Sequence, residues 1–386
     1  MKILVVTHYY STHAGGIEIV AGALAGHLAA THQVVWAASD CDPLPSVPAG
    51  VRLLPMRSVN AIERLSGLPF PLWGPGSLAR LWREAGAADI VHLHDVIYFG
   101  NWAAFVFARL RGTPVVVTQH AGLIRYPSAL LRTVLRTMHR TVARALLGRA
   151  SAVAFVSAVP RAYFGAFVRF AREPVLIQNG VDTELYSPGT AAERGDARAQ
   201  LGFGPAERVV LFVGRFVETK GLGTIERLAG RLPDVIFALA GWGPIDPRAW
   251  NLPNVRVFSS LRGATLVPLY RAADLLVLPS LGEGLPLVVQ ESLACGTPAL
   301  IDSDTATAVA APADAVYAAP TAGPDVIDSW TAAVRSLLAD RDSSARRESI
   351  AQFARERWSW TATAARYADL FRTVAAARRR EPSPAQ

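Results

Sequence analysis

The chain has 386 residues, 51% of them hydrophobic, with 39 Lys and Arg against 31 Asp and Glu for a formal net charge of +8. That length can bury more than one core, so two domains of ordinary size are expected. Cys41 and Cys295 are the only cysteines, which argues against a disulfide framework or a cysteine-held metal and fits a reducing cytoplasm.

The opening MKILVVTHYY reads as a buried strand over 3–7. Its apolar run is short and broken by polar residues, unlike a leader peptide. No later stretch reaches the roughly 20 uninterrupted apolar residues of a spanning helix. Gly15 and Gly16 follow that strand by a loop and open a helix expected over 17–30, whose free amides can hold phosphate oxygens. The pair departs from the G-x-G-x-x-G of dinucleotide-binding proteins, which lowers a dehydrogenase reading.

Further strands are expected at 34–37, 51–54, 90–93, 115–118, 152–156 and 175–177, with helices such as 101–111 and 158–170 between them. Short apolar runs alternating with helical segments predict an α/β domain with a parallel, doubly wound sheet. His92, His94 and Asp95 close one of these strands and His120 follows the next, at the edge where such sheets bind ligands. A lone histidine there is more often a hydrogen-bonded structural residue.

From Val96 through Arg172 there is no Asp or Glu, whereas eleven arginines occur. Arg132, Arg136, Arg140 and Arg144 stand four apart on a helix expected over 128–147, flanked by Leu130, Leu131, Val134, Leu135, Met138 and Leu146, which are expected to pack on the sheet. A solvated face explains part of this. Ordinary solvated faces mix signs, however, and a one-sign surface fits docking on an anionic membrane better. Nucleic acid is the weaker partner, because no recognisable binding module accompanies the charge.

Residues 187–204 are polar and lack an apolar period, so the interdomain connection is expected at 181–204. The alternation then restarts, with strands at 209–213, 235–239, 255–258, 275–278 and 299–301. Helices are expected near 224–231, 265–271, 325–339 and 343–357. The domains are therefore expected at 1–180 and 205–360, with a final helix over about 361–376 and a disordered, proline-containing tail at 377–386.

Two loops of the second half carry chemistry. In LFVGRFVETKG, Arg215 and Lys220 lie between a strand and a helix. Arg can grip a diphosphate bidentately while Lys acts as a mobile point charge. In LPSLGEGLPLVVQESLACGTP, Glu283 precedes a helix expected to begin near Leu285, with Pro286 in its first turn. Gly284 lets a ligand approach the free amides, and Glu291, further along, is better suited to neutral hydroxyls than to phosphates. Taken singly, the basic pair reads as ordinary surface, and the glutamates fit a solvated helix face about as well as a site. Together, at the carboxyl ends of strands in one α/β segment, they describe a site for an anionic sugar donor. The triplets Asp40-Cys41-Asp42 and Asp302-Ser303-Asp304 read as turns, and no metal is expected.

With these motifs, and with VTHYYSTHAGGIEIV, DIVHLHD, VTQHAG, IQNGVDTELYSP and LAGWGP, the chain resembles glycosyltransferase family 4, the retaining GT-B glycosyltransferases. The resemblance covers nearly the full length and is most specific in the R-x4-K and E-x7-E pairs. It implies two Rossmann-like doubly wound domains facing across a cleft, the last helix crossing back onto the first. It also implies a metal-independent hexosyltransferase that needs no cofactor and uses a nucleoside-diphosphate sugar as donor. Arg215 and Lys220 would hold the diphosphate, Glu291 the ribose, and Glu283 the sugar together with amides at Gly284 and Leu285. Gly15 and Gly16 would reach the phosphates, and His120 would lie beside the reacting centre. His94 and Asp95 would line the acceptor side. The implied acceptor is lipid-linked or an envelope or exopolysaccharide glycan, handled in the cytoplasm at the inner membrane face, with no nucleic acid involved. Alternatives are a nucleotide-sugar epimerase and a catalytically silent nucleotide-sugar-binding subunit.

Overall fold

The computed structural model describes residues 1–13, 15–66, 70–122, 129–259, 261–280, 283, 285–339 and 344–380. They fall in two compact units, divided between Gly180 and Val181 and again between Ser359 and Trp360.

The strands of the first unit are β1 (Lys2–Val6), β2 (Gln33–Ser39), β3 (Val51–Met56), β4 (Ser58–Val59), β5 (Leu72–Trp73), β6 (Ile90–His94), β7 (Val115–Gln119), β8 (Ala152–Phe155) and β9 (Val175–Leu176). Seven form a parallel sheet in the order β3-β2-β1-β6-β7-β8-β9, while β4 and β5 pair antiparallel beside it. The central strands are apolar without alternation because both faces are covered: Ile3, Leu4, Val5 and Val6 are all at most 1% exposed. One face packs Leu4, Val6, Val91, Leu93, Val115 and Val117 against Phe105 and Leu147. Each such buried side chain contributes about 1.5–3 kcal/mol.

The helix Trp360–Arg380 belongs to this unit and packs on the helix Gly16–Ala29. It brings the Tyr367 hydroxyl to 3.0 Å from Thr118 Oγ1 and buries Phe371 fully. The helix continues to Arg380, four residues into the tail expected to be disordered; residues 381–386 lie outside the described residues. A helix at Pro75–Ala87, opened by Pro75 after Gly74, was not expected. Its missing signal is a face of small and polar residues, Ser77 and Ala85 buried beside Leu81.

The arginine-bearing segment is not one continuous helix. A helix at Ala129–Met138 passes into a π-helical turn at His139–Ala143 and then into a helix at Arg144–Arg149. The wider turn carries His139 and Ala143 inward, where His139 Nδ1 meets the Tyr163 hydroxyl at 3.1 Å. Arg136, Arg140 and Arg144 are exposed and Arg132 is half-buried. Leu135 and Leu146 pack inward as expected, but Leu130 and Val134 do not: they are 76% and 44% exposed, on the solvent side with the arginines.

The second unit contains β10 (Arg208–Arg215), β11 (Val235–Trp242), β12 (Val255–Phe258), β13 (Leu275–Leu278), β14 (Ala299–Asp302) and β15 (Val316–Ala319), in the order β12-β11-β10-β13-β14-β15. All are parallel. Strand β15 and the helix Ala191–Gln200 were not expected. That helix starts with a capping box between Thr190 and Glu193. It buries an arginine instead of an apolar stripe: Arg198 donates to the carbonyls of Ala272, Gly204 and Glu207, so the segment shows no apolar period. Among the described residues no helix is long and apolar enough to cross a membrane.

Candidate active site

In the second unit the sheet reverses its direction of growth between β10 and β13, with β11 and β12 to one side and β14 and β15 to the other. The carboxyl ends of the strands at such a switch point form the ligand crevice of an open α/β sheet. Arg215 is the last residue of β10, and Lys220 ends the 3-10 turn Glu218–Lys220. Gly221 follows with φ 78°, and a Cβ there would lie 2.4 Å from the Pro279 carbonyl oxygen. Only glycine therefore lets the loop after β10 close on the loop after β13.

That closure pairs Lys220 Nζ with Glu283 Oε1, which also accepts from Ser280 Oγ. Burial pushes the Glu283 carboxyl up, but the Lys220 charge and the two hydrogen bonds outweigh it and hold the group below the usual carboxylate range. Arg215 is exposed and has no partner among the described residues. Of these two cations, one is thus held by a carboxylate and the other is exposed with no partner among the described residues.

Glu291 is the fifth residue of the helix Leu287–Ala294, which starts two residues later than expected because Pro286 sits at the N-cap in an extended conformation. The Tyr270 hydroxyl donates to Glu291 Oε2 at 2.6 Å, and Tyr186 also hydrogen-bonds this carboxylate. Burial raises the Glu291 carboxyl above its ordinary range against the pull of the two phenols. Tyr186 and Tyr270 are the partners of this candidate site residue, and sequence reading missed both. Tyr186 stood inside the quoted NGVDTELYSP, but nothing local links it to a residue over a hundred positions away. Leu285 is buried at 6%. Gly284 lies outside the described residues.

In the first unit the corresponding switch point falls between β1 and β6. Gly15 caps the helix that begins at Gly16, and a Cβ on Gly15 would lie 2.2 Å from Glu18 Oε2. A Cβ on Gly16 would meet nothing within 4 Å. Gly15 is thus bare to admit a carboxylate of its own chain, and Gly16 faces open space. Glu18 is 2% exposed and pairs with His8 Nε2 at 2.7 Å. Burial pushes its carboxyl up, and His8 more than reverses this.

His120 lies just past β7. Its backbone N–H donates to Asp95 Oδ1 at 3.0 Å, and its Nε2 is 2.9 Å from His94 Nδ1. Asp95 adopts φ 60°, a left-handed conformation held by Asn101 Nδ2, which donates to the carbonyls of His94 and Asp95 at 2.6 and 2.7 Å. Burial lowers His120 to about 4 and His92 to about 3, and holds His94 well below the usual histidine range. It pushes Asp95 up to about 7. His94 and Asp95, expected to line the acceptor side, are only 0% and 3% exposed, and the side chains of both hydrogen-bond His120. Of the Asp triplets, Asp302 caps the helix Ser303–Val309, Asp40 binds Ser58, and Asp42 pairs with His13.

Two doubly wound units with a charged crevice at the switch point define the GT-B class. In agreement, sucrose-phosphate synthase from Thermosynechococcus elongatus superposes with a TM-score of 0.76 at 23% identity, covering 98% of this chain and 100% of that one. Anabaena HepE in complex with UDP-glucose gives a TM-score of 0.71 at 18% identity, covering 97% and 100%. The model of Glycosyltransferase Family 4 matches residues 14–185, and that of Glycosyl transferases group 1 matches residues 207–340. The chain belongs to glycosyltransferase family 4. A D-inositol 3-phosphate glycosyltransferase of Mycobacterium sp. (strain KMS) is 34% identical over 188 residues, 45% of this chain and 42% of that protein. The match thus spans less than half the length of that relative.

Proposed function

We propose that this protein is a retaining hexosyltransferase that moves a sugar from a nucleoside-diphosphate sugar to a lipid-linked or envelope-polysaccharide acceptor. One observation carries the reading: at the switch point of the second sheet, Arg215 ends β10 exposed and without a partner among the described residues, and the loop that follows it pairs Lys220 with Glu283. Such a pair of cations neutralises a departing diphosphate by preorganised charge, so the reaction is proposed to need no metal. Glu283 contacts the sugar with amides around Gly284 and Leu285, and Glu291 binds the ribose. Gly16 and His120 act on the same donor. Incubating the purified protein with a panel of nucleotide sugars tests this. A thermal shift with one donor and its slow hydrolysis are expected; neither response to any donor would refute the reading, and binding without turnover would favour a silent subunit.

Gly16→Ala should leave the melting temperature unchanged, since the added methyl meets no described protein atom. Where that space belongs to the donor, binding should weaken about tenfold, which isothermal titration will show. Glu291→Gln should weaken binding of the free nucleoside diphosphate. A deoxyribose analogue lacking the contacted hydroxyl should bind poorly to the native protein and lose little more in the variant. Equal losses for both ligands would assign Glu291 another role.

The exposed Arg136, Arg140 and Arg144, with Leu130 and Val134 beside them, are proposed to dock the first unit on the anionic inner membrane face. Basic groups near such a surface contribute about 1 kcal/mol each, and exposed Leu and Val side chains add apolar contact. Co-sedimentation should show binding to anionic but not neutral vesicles, weakened by salt and by changing Arg132, Arg136, Arg140 and Arg144 to Gln. Equal sedimentation of native and variant protein would leave the arginines as solvated surface.

A further inference from the structure

The first unit holds a row of buried imidazoles whose arrangement selects between the two neutral forms of His120. His92 Nε2 is 2.8 Å from Thr118 Oγ1, which in turn meets Tyr367. The His92 and His94 rings lie 4.4 Å apart, and His94 reaches His120. We propose that His94 is a positioning residue that fixes the proton of His120 on Nδ1, leaving that N–H as the group His120 offers to a bound sugar. The inference rests on the reading of this chain as a glycosyltransferase with His120 at the donor.

The contact between His94 Nδ1 and His120 Nε2, at 2.9 Å, needs one proton and one lone pair. Both rings are buried, at 0% and 7% exposure, and burial keeps imidazoles neutral. Each ring therefore carries a single proton, and two arrangements remain. If His120 donated through Nε2, the proton of His94 would sit on its Nε2, an atom buried without a partner. A buried N–H with no acceptor costs about 1–3 kcal/mol, and orphaned donors are rarer in proteins than under-satisfied acceptors. If His94 donates instead, its orphaned nitrogen carries only a lone pair. The second arrangement is favoured, and it puts the His120 proton on Nδ1, which is not among the sealed, partnerless atoms.

The frame around the pair supports this role. Asp95 holds the His120 amide, and Asn101 holds the carbonyls of His94 and Asp95, so three hydrogen bonds fix the main chain from which the two rings project. With its Nε2 lone pair engaged, His120 is a hydrogen-bond donor to the sugar and not a base acting through that nitrogen.

Nitrogen-15 NMR of the histidine-labelled full chain distinguishes the tautomers directly, with His120→Gln used for assignment. The expected spectrum has the His120 proton on Nδ1. In His94→Phe, which fills the space without donating, the restraint on the proton is lost, and a mixture of the two neutral forms should replace the single one. Turnover should fall about tenfold or more with free nucleotide binding unchanged, the scale expected for a misplaced group near the reacting atoms. His94→Gln, which can still donate, should recover part of both. A native spectrum with the proton on Nε2 would overturn the inference, and so would a folded His94→Phe protein with unchanged tautomer and turnover. If His94→Phe does not fold, the native spectrum and His94→Gln still decide. Absence of sugar transfer by the native protein would refute the glycosyltransferase reading alone, since the tautomer is measured without substrate.

Discussion

Arg215→Ala and Lys220→Ala will each lower turnover at saturating donor by about a hundredfold or more, the usual loss when a preorganised stabiliser of developing charge is removed. Their effects on the fold will differ. Arg215 is exposed and without a partner among the described residues, so its removal should change stability by no more than about 0.5 kcal/mol. Lys220 is tied to Glu283, with side chains 29% and 20% exposed. Its loss leaves a largely sequestered carboxylate with Ser280 as its remaining partner among the described residues, which costs more, although solvent at both groups moderates the penalty. The double variant Lys220→Ala with Glu283→Gln should recover that stability without recovering turnover. Melting curves beside single-turnover kinetics will separate the two effects. Near-normal turnover in both single variants would mean that the donor site lies elsewhere.

The sequence made the sheets legible because their strands are short runs of Val, Ile and Leu buried on both faces, and Val209–Val213 or Leu275–Leu278 have no competing reading. Strand β15, VYAA, is short and half-exposed, so its composition resembles a loop. The helix Ala191–Gln200 escaped because alanines and a buried arginine bonded to main-chain carbonyls replace its apolar stripe. The π-helical turn at His139 left no trace, since a single wider turn barely alters local spacing. At the candidate site, R-x4-K and E-x7-E were visible as motifs, and the late helix start at Leu287 changed little. What the motifs could not carry were the cross-chain contacts: Tyr186 and Tyr270 on Glu291, Asp95 and His94 on His120, and Glu18 lying over Gly15. All but the last join residues whose neighbourhood only the strand order creates. The Gly15-Gly16 pair shows the cost of lacking that information. Two identical residues were read as one phosphate-binding feature, whereas one accommodates a carboxylate of the chain itself.

That carboxylate leads to the second large effect. His8→Phe will destabilise the protein by about 3–5 kcal/mol, because it leaves Glu18 charged, buried and unpaired. Phe preserves the stacking of His8 on Tyr98, whose ring centroids are 3.6 Å apart, so the loss reports the His8–Glu18 contact and not the packing. Adding Glu18→Gln should recover most of it, since removing both partners costs far less than orphaning one. The pH dependence should also reverse. In the native protein the Glu18 carboxyl lies below its ordinary range, so the unfolded chain binds its proton first. This contribution to stability is fully present above the unfolded value, about 4.3, and is lost as pH falls through the folded one. In His8→Phe burial, the largest influence on the carboxyl, is opposed only by the smaller pulls of a backbone hydrogen bond and His13, so the group should titrate higher than in the native protein, and the variant should gain stability relative to native protein as the medium is acidified. Urea denaturation at several pH values between about 3 and 8 will measure both limbs. Parallel profiles for native and variant protein would show that His8 does not hold the Glu18 charge, and the helix end beside Gly16 would then carry a neutral acid, a better neighbour for a phosphate than the carboxylate found there.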